Sequence, residues 1–343
     1  MPFDNEGAKN QLIDLLRQPR RALLLVGSGS SCFVGYPTWN QLLDELHRAV
    51  IPEEPIPAGL ELLQLATFIK AHLQTYENRT DRQRQYRQFM EDRFRPHSGG
   101  VANHATFHRT MVRLGFCGLA TTNYDSVIEH AVNHLLNQGG HDHNCTSIDL
   151  CARDRKHRVF EYLRSLTEDG PLCSVLHIHG YWENTNELVL TGEDYRTCYD
   201  FNLVVQDPDP LANPRPLHTF HRKVVWSLLT TRPVVFIGFS LEDPAFQRML
   251  QFVREDFELP PNPPAHFAVL GAQTEEDRDR NAAWLQRFGV LPIFYTVNTD
   301  ATGHLDHSQL PDLVEEFGAR LGVATAAPAV ADITRRMLAQ IEQ

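Results

Sequence analysis

The chain has 343 residues, 42% hydrophobic and 22% charged, enough to bury a substantial core in one large α/β domain or in a core with a smaller companion. Lys and Arg number 32 against 43 Asp and Glu, a formal net charge of −11 that opposes a chain gripping nucleic acid by its overall field. No apolar run approaches the roughly 20 residues that cross a bilayer, the N-terminus MPFDNEGAKNQ lacks the character of a signal peptide, and six scattered cysteines form no C-x-x-C pair. The expectation is a cytoplasmic protein with reduced thiols.

The first apolar run, ALLLVG (Ala22 to Gly27), enters the small residues Ser28, Gly29, Ser30 and Ser31. Such a turn exposes backbone N–H groups and suits an anion, but a plain tight turn fits these residues as well. A dinucleotide loop of the G-x-G-x-x-G type fails, because Cys32 stands at the third glycine, and the lysine of a P-loop is missing. TWNQLLDELHRAV (Thr38 to Val50) repeats its apolar residues at helical spacing. Leu60 to Arg95 reads as amphipathic helix rich in Arg and Gln, a helical insertion over about 58–96. Further strand candidates are FCGLATTN (Phe116 to Asn123), SVLHIHG (Ser174 to Gly180), PVVFIGFS (Pro233 to Ser240), AHFAVLG (Ala265 to Gly271) and LPIFYTV (Leu291 to Val297).

Short apolar runs bounded by Gly, Pro or Asn and separated by helices predict an α/β doubly wound parallel sheet with helices on both faces. Between the strands, residues 138–172 and the proline-rich 206–216 read as irregular loops or an inserted lobe. Residues 1–323 then form the main domain, and 324–343 a linker with a short C-terminal helix. Ligands of doubly wound sheets sit beyond the carboxyl ends of the strands. Four of these strands end in GSGSS, TTNYD, HIHG and GFSLED, small hydrogen-bonding residues that point a binding site at one edge.

Taken in order, GSGSS with GYPTW (Gly27 to Ser31, Gly35 to Trp39), TTNYDSVIEHA (Thr121 to Ala131), LHIHG (Leu176 to Gly180), LTGEDY (Leu190 to Tyr195) and FIGFSLEDPAF (Phe236 to Phe246) resemble the sirtuin family, and more closely its bacterial branch of NAD-consuming anti-phage defence proteins. The resemblance implies a Rossmann-like, NAD-binding domain over residues 1–323. By position it implies that Gly27, Ser28, Gly29 and Ser30 cradle the pyrophosphate and that Asn123 lies against the nicotinamide-side ribose. Asp125 would hold the loop or the carboxamide, and His179 would act as general base. Gly238, Ser240 and Leu241 would line the adenosine half, with Pro37, Trp39 and Thr122 completing the NAD-binding set. Stand-alone members resembling this chain pair with a HerA-like ATPase, which implies a homo-oligomer docked on such a partner.

Two departures shape the expected activity. Thr122 precedes Asn123 where the protein deacylases carry Gln, and their paired C-x-x-C zinc lobe has no counterpart here. Hydrolysis of NAD+ to nicotinamide and ADP-ribose, without a metal, is the better expectation than peptide deacylation or ADP-ribosyl transfer. The chemistry suits these residue types. Nicotinamide leaves as a neutral molecule and needs no acid, while charge builds on the ribose as an oxocarbenium-like centre. A fixed amide dipole such as Asn123 stabilises that centre, and a histidine, with an ordinary pKa of about 6.5, deprotonates a hydroxyl or water near neutral pH.

Other readings are weaker. TNYD also reads as a helix cap, and His177, two residues before His179 and on the same strand face, reads as a core histidine. His104 and His108 have zinc-helix spacing, but Ala105 replaces the required glutamate. HDHNC (His141 to Cys145) is a loop cluster short of a complete metal site. Cys32 reads as a packing thiol. A non-enzymatic NAD or ADP-ribose sensor and a metal-dependent nuclease subunit remain the alternatives from other classes.

Overall fold

The computed structural model describes residues 2–73, 79–97, 103–140, 144–168, 172–199, 219–259, 264–299 and 305–323. The expected loop 206–216, the loop histidines His141 and His143, and the C-terminal helix expected within 324–343 lie outside these residues.

The chain opens with α1 (Asn5–Leu16), β1 (Leu23–Val26), the one-turn α2 (Ser28–Ser31) and α3 (Trp39–Val50). Next come α4 (Leu62–His72), α5 (Arg79–Phe94), α6 (Thr106–Val112), β2 (Gly118–Thr121) and α7 (Val127–Gln138). β3 (Thr146–Asp149), α8 (Lys156–Ser165), β4 (Ser174–His177), α9 (Gly192–Tyr199) and α10 (Phe220–Thr231) follow. β5 (Val234–Ile237), α11 (Pro244–Asp256), β6 (His266–Ala272), α12 (Glu275–Gln286), β7 (Val290–Thr296) and α13 (Gln309–Arg320) complete the core.

All seven strands pair in parallel in the order β3-β4-β2-β1-β5-β6-β7. The six expected strands are present, and the doubly wound α/β architecture holds. A seventh, β3, lies inside 138–172, the stretch expected to be irregular, together with α8. Its residues TSID sit at the sheet edge, the first exposed and the second half-buried, so no continuous apolar run marks it.

Alternation along each strand feeds two cores. Leu24, Val26, Leu119, Val175, Val235 and Ile237 pack with α1, α6, α7 and α13 on one side. Leu23, Leu25, Ala120, Leu176, Val234 and Phe236 pack with α8, α10 and α11 on the other. A third cluster joins α3, α4 and α5 (Leu42, Leu46, Leu65, Ile69, Met90) to Tyr124, Val127, Leu188 and Leu190, seating the helical insertion beside the strand ends.

The strand order reverses between β1 and β5, and there the two following turns touch. Gly27 N–H donates to Ile237 O at 3.0 Å and Gly29 N–H to Gly238 O at 2.9 Å. A Cβ on Gly27 would lie 2.4 Å from Gly238 O, and one on Gly238, whose φ is +68°, would lie 2.5 Å from the Ser30 nitrogen. Gly322 has the same φ, +69°, with nothing within 4 Å. Gly322→Ala should therefore cost only the left-handed backbone penalty of about 1–2 kcal/mol. Gly238→Ala adds a backbone collision and should cost clearly more in urea unfolding; equal losses would disprove the close-approach account.

Candidate active site

Asn123, Asp125 and His179 follow strands at the carboxyl edge of the sheet, in two hydrogen-bonded sets. The first joins the ends of β1 and β2. Asn123 Nδ2 donates to Ser31 Oγ at 3.0 Å, and Ser31 in turn hydrogen-bonds Asp125. Asp125 Oδ1 accepts the Val127 N–H at 3.0 Å, closing the first turn of α7. Burial lifts the Asp125 carboxyl to about 6, against those two hydrogen bonds. Asn123 is 6% exposed, and its Oδ1 is buried with no hydrogen-bond partner among the described residues. Leaving such an acceptor unpaired costs about 1–3 kcal/mol, so an orphan of this kind at a strand end calls for a donor from a ligand.

The glycine turn offers less than its sequence implied. The N–H groups of Gly27, Gly29 and Ser30 are consumed by Ile237 O, Gly238 O and Gly27 O, leaving Ser28 at the start of α2 as the amide with no such bond. His108 braces this turn: its Nδ1 accepts the Ala105 N–H at 2.8 Å and its Nε2 donates to Ser30 O at 3.1 Å. Those bonds fix a neutral tautomer, and burial drives its pKa to about 3. Cys32 donates its thiol to Ser28 O, and burial raises it to about 11, as befits a packing thiol. Thr122 N–H is tied to Val26 O at 3.2 Å. Pro37 is buried, and Trp39 begins α3 behind its Thr38 cap and packs into the helical insertion's cluster. Ser240 is exposed, whereas the Leu241 side chain is 1% exposed in the core and its carbonyl accepts Gln247 Nε2 at 2.8 Å.

The second set surrounds His179, which is 4% exposed. Its Nε2 lies 3.0 Å from the Tyr199 hydroxyl and 4.0 Å from Asp243 Oδ2. Asp243 caps α11 through the Ala245 and Phe246 N–H groups and accepts the Tyr195 hydroxyl at 2.6 Å. Burial, with His221 adding its charge, holds His179 neutral down to about 3. Asp194 knots the LTGEDY turn, accepting from Thr191 N–H and Oγ1, each at 2.8 Å, and pairs with Lys70 of α4 at 2.7 Å. Among the described residues no hydrogen bond joins this set to Asn123.

His177 and His179 do not share a face. The strand ends at His177, and beyond it alternation no longer applies. His177, fully buried, donates Nδ1–H to Asn123 O at 2.9 Å and Nε2–H to Glu129 Oε1 at 2.6 Å. Both partners only accept, so the ring is an imidazolium. Burial alone would depress it, but the Glu129 carboxylate outweighs burial and raises its pKa; the same charge pair lowers Glu129 against its own burial. Ser31, Glu129, Tyr195, Tyr199 and Asp243 escaped sequence reasoning as partners. All but Tyr199 nevertheless stood inside the matched motifs, and Asp243 before Pro244 is a legible helix start.

Glu129→Ala strands the buried imidazolium and should cost about 3–5 kcal/mol in denaturant unfolding. Adding His177→Phe should recover part of that loss; a second loss of similar size would contradict the pairing. For His179 the folded state holds less proton than the unfolded chain below about 6.5, so its contribution is complete above that pH and shrinks by about 1.4 kcal/mol per unit as pH falls toward its folded pKa. Its ring ¹⁵N shifts should stay those of a neutral imidazole from pH 8 to 5, while His177 shows the doubly protonated pattern; titration of His179 near 6.5 would refute its environment.

The SIR2-like domain model matches residues 118–293, just over half of the chain, from β2 into β7. The protein named NAD(+) hydrolase ThsA from Bacillus cereus (strain MSX-D12) is 25% identical over 238 residues, covering 69% of this chain and 40% of that protein. The protein of the same name from Enterococcus faecium is 24% identical over 250 residues, covering 73% and 43%. The chain thus spans about two fifths of the length of these relatives. No helix among the described residues is long and apolar enough to cross a membrane. With the SIR2-like domain model matching more than half of its length and a seven-stranded parallel sheet to match, this chain belongs to the SIR2-like domain family.

Proposed function

We propose that the protein is an NAD+ glycohydrolase, releasing nicotinamide and ADP-ribose as the effector of an anti-phage system. One observation carries the reading. Asn123 is pinned by Ser31 with its carboxamide oxygen buried and unpaired at the carboxyl edge of β2, beside the β1 turn and near the strand-order reversal where such sheets bind nucleotides. The similarity to two proteins named as NAD+ hydrolases supports it.

On this reading the Ser28 amide and the start of α2 receive a phosphate oxygen, and a ribose hydroxyl donates to Asn123 Oδ1. The C1′–N bond breaks as electrons pass to the pyridinium ring, so nicotinamide leaves neutral. Water adds to C1′ and gives up one proton, with His179 as the acceptor. A histidine held near pKa 3 is a weak base, because proton acceptance is efficient only when the pKa lies near the working pH. Asp243, at 4.0 Å, supplies the remedy: drawn into hydrogen-bond range as a carboxylate, it raises His179.

The same features favour a restrained resting enzyme. Asn123 and His179 are both buried, and Val189 N–H bonds His179 O at 2.9 Å while the Tyr124 hydroxyl bonds Val189 O at 2.8 Å. Substrate entry requires that cover to shift, which fits release by assembly into a homo-oligomer on a HerA-like ATPase. A strictly monomeric chain that ignores such an ATPase in light scattering would remove the assembly part.

Incubation of the chain with NAD+, alone and with candidate partner, should yield equal nicotinamide and ADP-ribose by chromatography. Asn123→Ala and His179→Ala should each lower turnover by at least about 100-fold, the scale of a lost oxyanion-type donor. Undiminished turnover in both variants would overturn the site. Tight NAD+ binding without turnover under every condition would establish a sensor in place of an enzyme.

A further inference from the structure

We propose that Cys151, Cys198 and His221 form a binding site for one thiophilic divalent cation, best matched by zinc, directly behind His179. The three come from separate parts of the chain: Cys151 follows β3, Cys198 lies in the last turn of α9, and His221 in the first turn of α10. A ligand atom of each lies within 4.8 Å of the others. A tetrahedral cation with Zn–S bonds of about 2.3 Å separates two sulfurs by only about 3.8 Å, so small side-chain movements complete the coordination. His221 is 6% exposed, and its Nε2 is buried with no hydrogen-bond partner among the described residues, an unexplained polar atom in the same cluster.

The donor set has the right chemistry. Two thiolates and a neutral imidazole select zinc over oxygen-seeking cations such as magnesium, and a water completes the fourth position. Binding displaces the thiol protons to solvent and changes no oxidation state. This set, two distant cysteines and a histidine, lacks the spacing and the four thiolates of paired C-x-x-C lobes, and it departs from the expectation of a metal-free protein.

Its location ties it to the second hydrogen-bonded set. Cys151 Sγ donates weakly to Ile178 O at 3.8 Å, one residue before His179. Cys198 precedes Tyr199, whose hydroxyl meets His179, and the His221 ring stacks on the His179 ring at 6.5 Å. A bound cation fastens the end of β3, α9 and α10 together behind that histidine.

The proposal does not rest on NAD+ turnover, and its test reads the metal directly. The full chain, reduced and dialysed against chelator, is titrated with Zn²⁺ against a chromophoric chelator and separately with Co²⁺. One equivalent should bind, and Co²⁺ should give thiolate charge-transfer and strong tetrahedral bands in the unmodified protein, so the ligand type is read without any variant. Cys151→Ser, Cys198→Ser and His221→Ala should each weaken Zn²⁺ by more than the about 10–100-fold that an outer-shell partner is worth, whereas Cys173→Ser, at an exposed cysteine, should not. Absence of the Co²⁺ thiolate band, binding unaffected by Cys151→Ser and Cys198→Ser, or loss of 2 Da through a Cys151–Cys198 disulfide in place of uptake would overturn it.

Discussion

The contact between the turns after β1 and β5 is the constraint on which the site depends. Two parallel strands that diverge into helices on opposite faces leave their first turns side by side, and here the backbones meet without side chains between them. Gly27 and Gly29 donate directly to Ile237 O and Gly238 O, and Gly238 adopts a positive φ to allow it. The same contact sets the position of α2, hence of Ser31, hence of the Asn123 amide that Ser31 holds. It also uses up amides that a glycine-rich turn would otherwise present to phosphate. These glycines are explained by backbone packing first, and anion binding is left to the helix start at Ser28.

Beyond that contact, two histidines separated by a single residue carry different charge states. His177 faces two obligate acceptors, a carboxylate and a carbonyl, and is cationic. His179 faces a phenol and a ring of aromatic side chains that includes His221, with its nearest carboxylate at 4.0 Å, and is neutral. Desolvation acts on both; only the adjacent Glu129 charge reverses its sign for His177. The pair divides labour: His177 fixes the main chain at Asn123, and His179 meets the Tyr199 hydroxyl as a neutral ring.

Much of this was legible in the sequence because central strands of a parallel sheet are buried on both faces and read as apolar runs ending in polar turns. That logic found β1, β2, β4, β5, β6 and β7, and with them Asn123, Asp125 and His179 at their ends. It missed β3 because an edge strand reading TSID is half solvated. It placed His177 and His179 on one face because period-two alternation was carried past the strand's last residue. Partners such as Ser31 to Asn123, Glu129 to His177 and Asp243 to His179 lie tens of residues apart or across the sheet, so no local pattern signals them. Leu241 shows the limit of matching by position: its motif sits at the site, yet its side chain turns into the core at φ +61°.

The buried state of Asn123 and His179 has an energetic consequence. An orphaned carboxamide oxygen is unfavourable in the closed chain, and on the proposed function it would be paired by a hydroxyl-bearing ligand, as His179, held neutral down to about 3, would be raised by a closer Asp243. The Leu188 to Tyr195 segment, bonded to His179 O through the Val189 N–H, is tied to the helical insertion through the Lys70–Asp194 ion pair. A force or contact applied to α4 therefore reaches the turn that holds Tyr195, and through Tyr195 reaches Asp243. The helical insertion, which adds nothing to the sheet, is thus linked through Asp194 and Tyr195 to Asp243, the carboxylate 4.0 Å from His179.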